Sequence, residues 1–222
     1  MARITVVIPT YNHAQYIGEA IESALTQTRP ADEILVVDND STDNTAQVVR
    51  QYPEVRYIHQ TNQGICGSSN RGLIEATGDY IVFLHSDDRL LPHHLEVSLR
   101  AFRERPDAGL VSGDYRWFGA EGTWHSHQCN SSPDDYGAIL RFNYIGPPIV
   151  VMFRRDRLID AGGWRQEFAY TCDTETYLRV ARKYPVYCHH TIIAEYRRHG
   201  AQNSQKWDLI LQSAVETMRD QR

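Results

Sequence analysis

The sequence predicts an α/β protein. A mostly parallel, doubly wound sheet is flanked by helices and followed by a smaller mixed region. Three observations carry this. Short β-branched runs alternate with helical periodicity through roughly the first hundred residues. Polar clusters follow three of these runs: PTYN, DNDSTD and HSDD. After that the alternation gives way to less regular segments.

The elements are read in order. RITVVIP (3–9) is a buried parallel strand stopped by Pro9. Ile17, Ala20, Ile21, Ala24 and Leu25 recur at three and four residues, which predicts a helix with one apolar stripe. DEILVVD (32–38) is the second strand. The next helix is expected to be capped by Ser41 or Thr42, with Asp43 favourable to its dipole. VRYIH (55–59) is the third strand. A glycine-rich loop and a short helix ended by Gly78 come next. YIVFLHSDD (80–88) is the fourth strand, and Pro92 opens a helix. Residues 108–119 suggest a strand pair and 120–135 a polar loop. GPPIVVMFRRDRLIDAGGW reads as a strand, a short helix and a glycine turn. An amphipathic helix (173–184), a strand running into a polar loop, and a last helix from about Lys206 complete the chain.

Composition bounds the function. A chain of 222 residues is enough for one large domain, and a net charge of -5 argues against a nucleic-acid partner. No segment approaches the ~20 apolar residues of a membrane span, and the N-terminus does not resemble a signal peptide. These point to the cytoplasm, with room for peripheral contact at the inner face of a membrane. Cys66, Cys129, Cys172 and Cys188 lack CxxC pairing and read as reduced structural thiols. His93 and His94 read as a surface pair, and His189 and His190 as strand packing.

In doubly wound sheets, ligands bind beyond the carboxyl ends of the strands, where the polar clusters fall. Adjacent Asp87 and Asp88 repel when ionised, and a hard cation such as Mg²⁺ or Mn²⁺ turns that repulsion into attraction. The plainer reading is a capped turn.

VVIPTYNHAQYIGEAIESALTQT, ILVVDNDSTDNT, NQGICGSSNRG, GDYIVFLHSDD and AGGW occur in that order. Together they resemble inverting glycosyltransferases of family 2, with the GT-A fold, over about residues 3–204. The resemblance implies a Rossmann-like sheet in a single domain over 1–222. About 1–115 would bind the nucleotide sugar, about 116–204 would face the acceptor, and 205–222 would form a C-terminal helix. It implies a nucleotide site at Pro9, Thr10, Tyr11, Asn12, Asp38, Asn39, Arg71 and Asp87. Asp88 and His199 would ligate a divalent cation, Mn²⁺ or Mg²⁺. Asp173 would be the general base, Glu175 its fallback, and Trp164 an acceptor-side platform. The implied donor is a nucleotide diphosphate sugar, UDP-linked by family habit. The acceptor is a glycan, a lipid-linked glycan or a protein. Loops at 120–135 and 198–206 would close over the donor. Asn39, Ser69, His85 and Cys172 depart from the common pattern. They sustain a rival, a non-catalytic nucleotide-sugar-binding module of a larger protein.

Overall fold

Strand β1 (Ile4–Thr10) is buried along its whole length and lies between two parallel neighbours, β2 (Glu33–Asp38) and β4 (Tyr80–Phe83). The computed structural model describes residues 2–120, 122–127, 129–130, 132–200 and 206–221. β1 does not stop at Pro9. Val7 accepts a hydrogen bond from Leu84 and Thr10 one from Asn39, so Pro9 points its missing donor toward the side where β4 has already ended. β3 (Arg56–His59) pairs with β2 in the same direction.

The sheet runs β3-β2-β1-β4-β8-β6-β9-β5. Here β5 is Arg89–Leu90, β6 is Leu110–Gly119, β8 is Val151–Arg154 and β9 is Val186–Arg197. β8 runs antiparallel between β4 and β6, while β9 is parallel to β6. β7 (Gly122–His127) forms a hairpin with β6. The stretch expected as a strand pair is therefore the single strand β6, and much of the expected 120–135 loop is its hairpin partner.

Helices cover the sheet. α1 (Ile17–Leu25) buries Ile17, Ala20, Ile21 and Ala24, the stripe predicted from spacing. α2 (Thr45–Val49) begins later than expected. Asp43 accepts from the Thr45 N–H at 2.9 Å, while Ser41 and Thr42 are tied to the loop after β1. The glycine-rich segment is helical: α3 spans Gly64–Glu75. α4 (His94–Glu104), α5 (Asp135–Arg141), α6 (Arg155–Asp160), α7 (Cys172–Ala181) and α8 (Trp207–Asp220) complete the set. Phe83, Phe153 and Trp164 pack edge to face behind β4, with centroids 5.0 to 6.2 Å apart.

Gly72 marks the close approach of α3 to β1. A Cβ there would fall 2.2 Å from Val7 Cγ1. Gly72→Ala should therefore cost about 1–3 kcal/mol through overpacking despite its better helix propensity. A thermal melt would show it as a lowered Tm, and an unchanged Tm would contradict the contact.

Cys129 and Cys188 form a disulfide, contrary to the expectation of four reduced thiols. Their 59-residue separation carries no local signature, and the sheet supplies the pairing. Cys188 lies opposite Ser112 in the β6–β9 ladder, and the Cys129 N–H donates to Asp114 two residues along β6. Among the described residues no helix is long and apolar enough to cross a membrane.

Candidate active site

A cavity of about 640 Å³ opens at the carboxyl ends of β1, β2 and β4. Pro9 and Thr10 end β1 there and Tyr11 follows them, His85 through Asp88 follow β4, and Cys172 to Thr174 face them from the start of α7. The lining holds three carboxylates (Asp87, Asp88, Asp173) and three imidazoles (His13, His85, His199), but no lysine or arginine. An anionic ligand entering there meets no fixed cation among these residues.

Asp87 and Asp88 play different parts. The Asp87 carboxylate sits 3.0 Å from His199 Nε2. Burial pushes its pKa up, but the imidazoles of His85, His199 and His13 outweigh that and hold it below the ordinary range. Asp88 is 1 % exposed; its Oδ1 accepts from the Arg197 N–H at 2.8 Å, and its Oδ2 is buried with no hydrogen-bond partner. Burial, then the Asp87 charge, drives its pKa well up. The two adjacent acids are thus split: the pKa of one is held down beside a histidine, and that of the other, partly orphaned, is pushed up. Among the described residues, no three histidine, cysteine or acidic side chains converge as a complete cage for a metal.

His199 is steadied by residues that sequence reading passed over. Tyr16 packs on its ring at 5.0 Å, and His13 lies 6.3 Å away edge-on. His13 Nδ1 bonds to Ser86 Oγ at 2.8 Å, and burial lowers its pKa. The HAQY spacing was the available signal, since residues three apart share one side of a helical turn.

Other expected nucleotide contacts are bonded within the scaffold. Asn12 has φ of 53°, a left-handed conformation that Asn tolerates, and its Oδ1 accepts from the Thr42 N–H at 2.7 Å. It clips the loop after β1 to the loop after β2. Asp38 is 1 % exposed, accepts from the Ser41 N–H (2.9 Å) and the Tyr57 hydroxyl (2.6 Å), one on each oxygen, and lies outside the lining. Asn39 does line the cavity, but its Oδ1 already accepts from Gln60 Nε2 and the Gln63 N–H, both at 2.9 Å. A backbone N–H only donates, so the oxygen must face it, and both lone pairs are in use. Arg71 lies on the outer face of α3, paired with Glu75 at 2.9 Å, and does not reach the cavity.

On the facing wall, Asp173 lines the cavity. Its Oδ1 accepts from the Thr174 N–H at 2.7 Å, and burial raises its pKa. Glu175 is 0 % exposed and held by the Arg179 fork at 2.6 and 2.7 Å, so it has no path to a ligand. Arg179 also donates to the Gly163 carbonyl at 2.6 Å, fixing the turn where Gly162 and Gly163 take φ of 94° and 63°. Trp164 is 4 % exposed, and its backbone bonds to the Asn70 side chain at 2.7 and 2.8 Å. Trp164 and Glu175, expected on the acceptor side, are therefore buried in the core. Of the two expected closing loops, 120–135 contains β7 (122–127) and ends on the first residue of α5; residues 121, 128 and 131 of it, and 201–205 of the other, lie outside the described residues.

The pattern of glycosyl transferase family 2 matches residues 5–166. A protein of Mycobacterium tuberculosis, named uncharacterized protein MT1568, is 33 % identical over 217 residues, covering 89 % of this chain and 67 % of that protein. Staphylococcus aureus TarS, solved with UDP, superposes with a TM-score of 0.76 at 20 % identity, over 97 % of this chain and 65 % of that one. Mannosyltransferase PcManGT from Pyrobaculum calidifontis, solved with GDP-Man and Mn²⁺, superposes at 0.73 and 23 % identity, over 97 % and 63 %. The chain thus spans about two thirds of the Mycobacterium protein, of PcManGT and of the TarS fragment 1–349, but 39 % of the longer TarS chain, and 35 % and 38 % of two glycosyltransferases of Nostoc and Escherichia coli.

Proposed function

The chain belongs to glycosyl transferase family 2 and has the GT-A fold, and from that premise we propose that it is an inverting glycosyltransferase acting on a nucleotide diphosphate sugar. One observation carries the reading. A cavity with acids on both walls and no fixed cation in its lining sits where this fold gathers its strand ends. A diphosphate placed there needs a counter-charge. A divalent cation, Mn²⁺ or Mg²⁺, fits the donors present: the Asp87–His199 pair and the orphaned Oδ2 of Asp88. Such an ion supplies charge stabilisation to the departing diphosphate. The lead therefore passes from Asp88 to Asp87, because Asp88 spends one oxygen on the backbone of β9.

The protein's own groups do the rest. Pro9, Thr10 and Tyr11 bound the nucleotide end, with Tyr11, 47 % exposed, placed for stacking on a base. Asp173, across the cavity, takes the proton of the acceptor hydroxyl as it attacks the anomeric carbon. In this reading residues 1–115 hold the donor and 116–204 shape the acceptor side, where Tyr170 and Pro147 join the wall. The donor is UDP-linked by family habit, with TarS bound to UDP and PcManGT to GDP-Man as the two precedents. The acceptor is a glycan, a lipid-linked glycan or a protein.

Calorimetry with UDP and GDP, with Mn²⁺ and with chelator, tests the donor half. The wild-type chain should bind one of them with Mn²⁺-dependent affinity, and Asp87→Ala should lose at least about tenfold of it. Equal affinity in the variant would remove Asp87 from the ion. Binding with no transfer to any acceptor would establish the non-catalytic module instead.

A further inference from the structure

We propose that Ser213 and Thr217 of α8 are positioning residues for the transfer reaction: they draw the Thr171 hydroxyl away from the first turn of α7, and so leave the N–H groups of that turn to orient Asp173. Helix α8 is seated in an unusual way. Its buried residues are Ser213 and Thr217, while Leu211, Val215 and Met218 of the same helix are exposed. Two hydroxyls one turn apart, not an apolar stripe, form its buried face. Both reach one atom. Thr171 Oγ1 lies 2.7 Å from Ser213 Oγ and 3.0 Å from Thr217 Oγ1, and all three residues are buried. Arg165, bonded to Asp220 at 2.9 Å, is a second tie between α8 and the segment before α7.

Thr171 immediately precedes α7, and its carbonyl accepts the first bond of the helix from the Glu175 N–H at 2.9 Å. A threonine at this position ordinarily turns its hydroxyl onto the N–H two or three residues on. Thr171 does not. Its side chain makes no capping bond, and its backbone (φ -135°, ψ 23°) lies outside the extended conformation that capping uses. The hydroxyl is committed to α8 instead. The N–H groups it would otherwise claim are those of Asp173 and Thr174. The Thr174 N–H is thereby left to the Asp173 carboxylate, whose Oδ1 accepts it at 2.7 Å. Without the two α8 hydroxyls, the Thr171 hydroxyl has to find another partner, and the open end of α7 supplies one. Asp173 then loses a bond that favours its ionised form. The consequence for transfer rests on Asp173 acting as base; the draw of α8 on Thr171 does not.

The full chain is compared with Ser213→Ala/Thr217→Val, which removes both hydroxyls at nearly constant shape, and with Thr171→Val, which removes the hydroxyl that would compete. The pH titration of the Thr174 amide shift in a nuclear magnetic resonance spectrum reads the carboxyl it donates to, without turnover. Its midpoint should rise by about one pH unit in the double variant and keep the wild-type value in Thr171→Val. At pH below that midpoint, transfer by the double variant should fall about tenfold, through kcat and not through the KM of the nucleotide sugar, and it should converge on the wild-type rate at higher pH. Thr217→Ser, which keeps the hydroxyl, should retain the wild-type profile. Cys172 and Tyr177 on α7 and the acids and imidazoles of the opposite wall are the titratable groups around Asp173, and every variant keeps them. An unmoved Thr174 midpoint in the folded double variant overturns the proposal, as does an equal rise in Thr171→Val, which would mean a general loosening of α7. Should the double variant not fold, Ser213→Ala alone removes the shorter bond and carries the same test. A raised midpoint with an unmoved transfer profile overturns the claim that this turn governs the base. A wild-type chain without transferase activity would count against the function while leaving the amide titration decisive for α8.

Discussion

Asp173→Asn is expected to lower transfer by about 10²–10⁴-fold while leaving nucleotide affinity unchanged. Asparagine keeps the oxygen that accepts from the Thr174 N–H, so the first turn of α7 should hold its shape. What is lost is the group that takes a proton. No neighbour replaces it, since Glu175, two residues on, is locked in the Arg179 fork and fully buried. The rest of the nucleotide wall lies across the cavity and is untouched. The pH profile provides a second readout. Burial raises the Asp173 pKa, so wild-type transfer should rise with pH through a limb above the ordinary carboxylate range. The residual activity of the variant should lack that limb. Product formation measured beside calorimetric nucleotide binding separates the two effects, and full activity in Asp173→Asn would remove it as base.

The fold was legible because its signals are local. The β-branched runs and the Ile17 to Ala24 stripe report which face is buried, and the same residues are the buried ones. The ordered motifs located the strand ends and hence the cavity. Sequence could not say which polar side chains at those ends were already spoken for. Asp38, Asn39 and Asn12 carry the expected residue types, yet their acceptors are consumed by Tyr57, Gln63 and Thr42, partners set by tertiary folding. Arg71 failed for a simpler reason: its position on α3 faces outward, toward Glu75. His13 and Tyr16 were missed because their partner, His199, lies at the far end of the chain. The disulfide between Cys129 and Cys188 likewise depends on a sheet register that spacing does not encode.

His94 reverses its sequence reading most sharply and sets the largest stability effect. Expected on the surface, it is 0 % exposed, with Nε2 bonded to the Ile149 carbonyl at 2.9 Å and Nδ1 buried without a partner. Burial pulls its pKa down to about 3 from an ordinary 6.5. The unfolded chain therefore binds a proton below pH 6.5 that the folded chain refuses until about pH 3. Stability is full above the unfolded value and is lost as pH falls. By pH 4 the loss from this residue alone should reach roughly 3 kcal/mol. His189, lowered to about 4 chiefly by burial, and the half-buried His13 and His85 act in the same direction. Asp88 and Asp173 oppose them, because a carboxyl raised by folding favours the native state as protons are added. A single substitution isolates the histidine contribution. His94→Gln can still donate to Ile149 but cannot charge, so its urea-unfolding free energy should fall less steeply between pH 7 and pH 4 than that of the wild-type chain. Parallel curves would mean that His94 accepts its proton in the folded state, which its closed surroundings forbid.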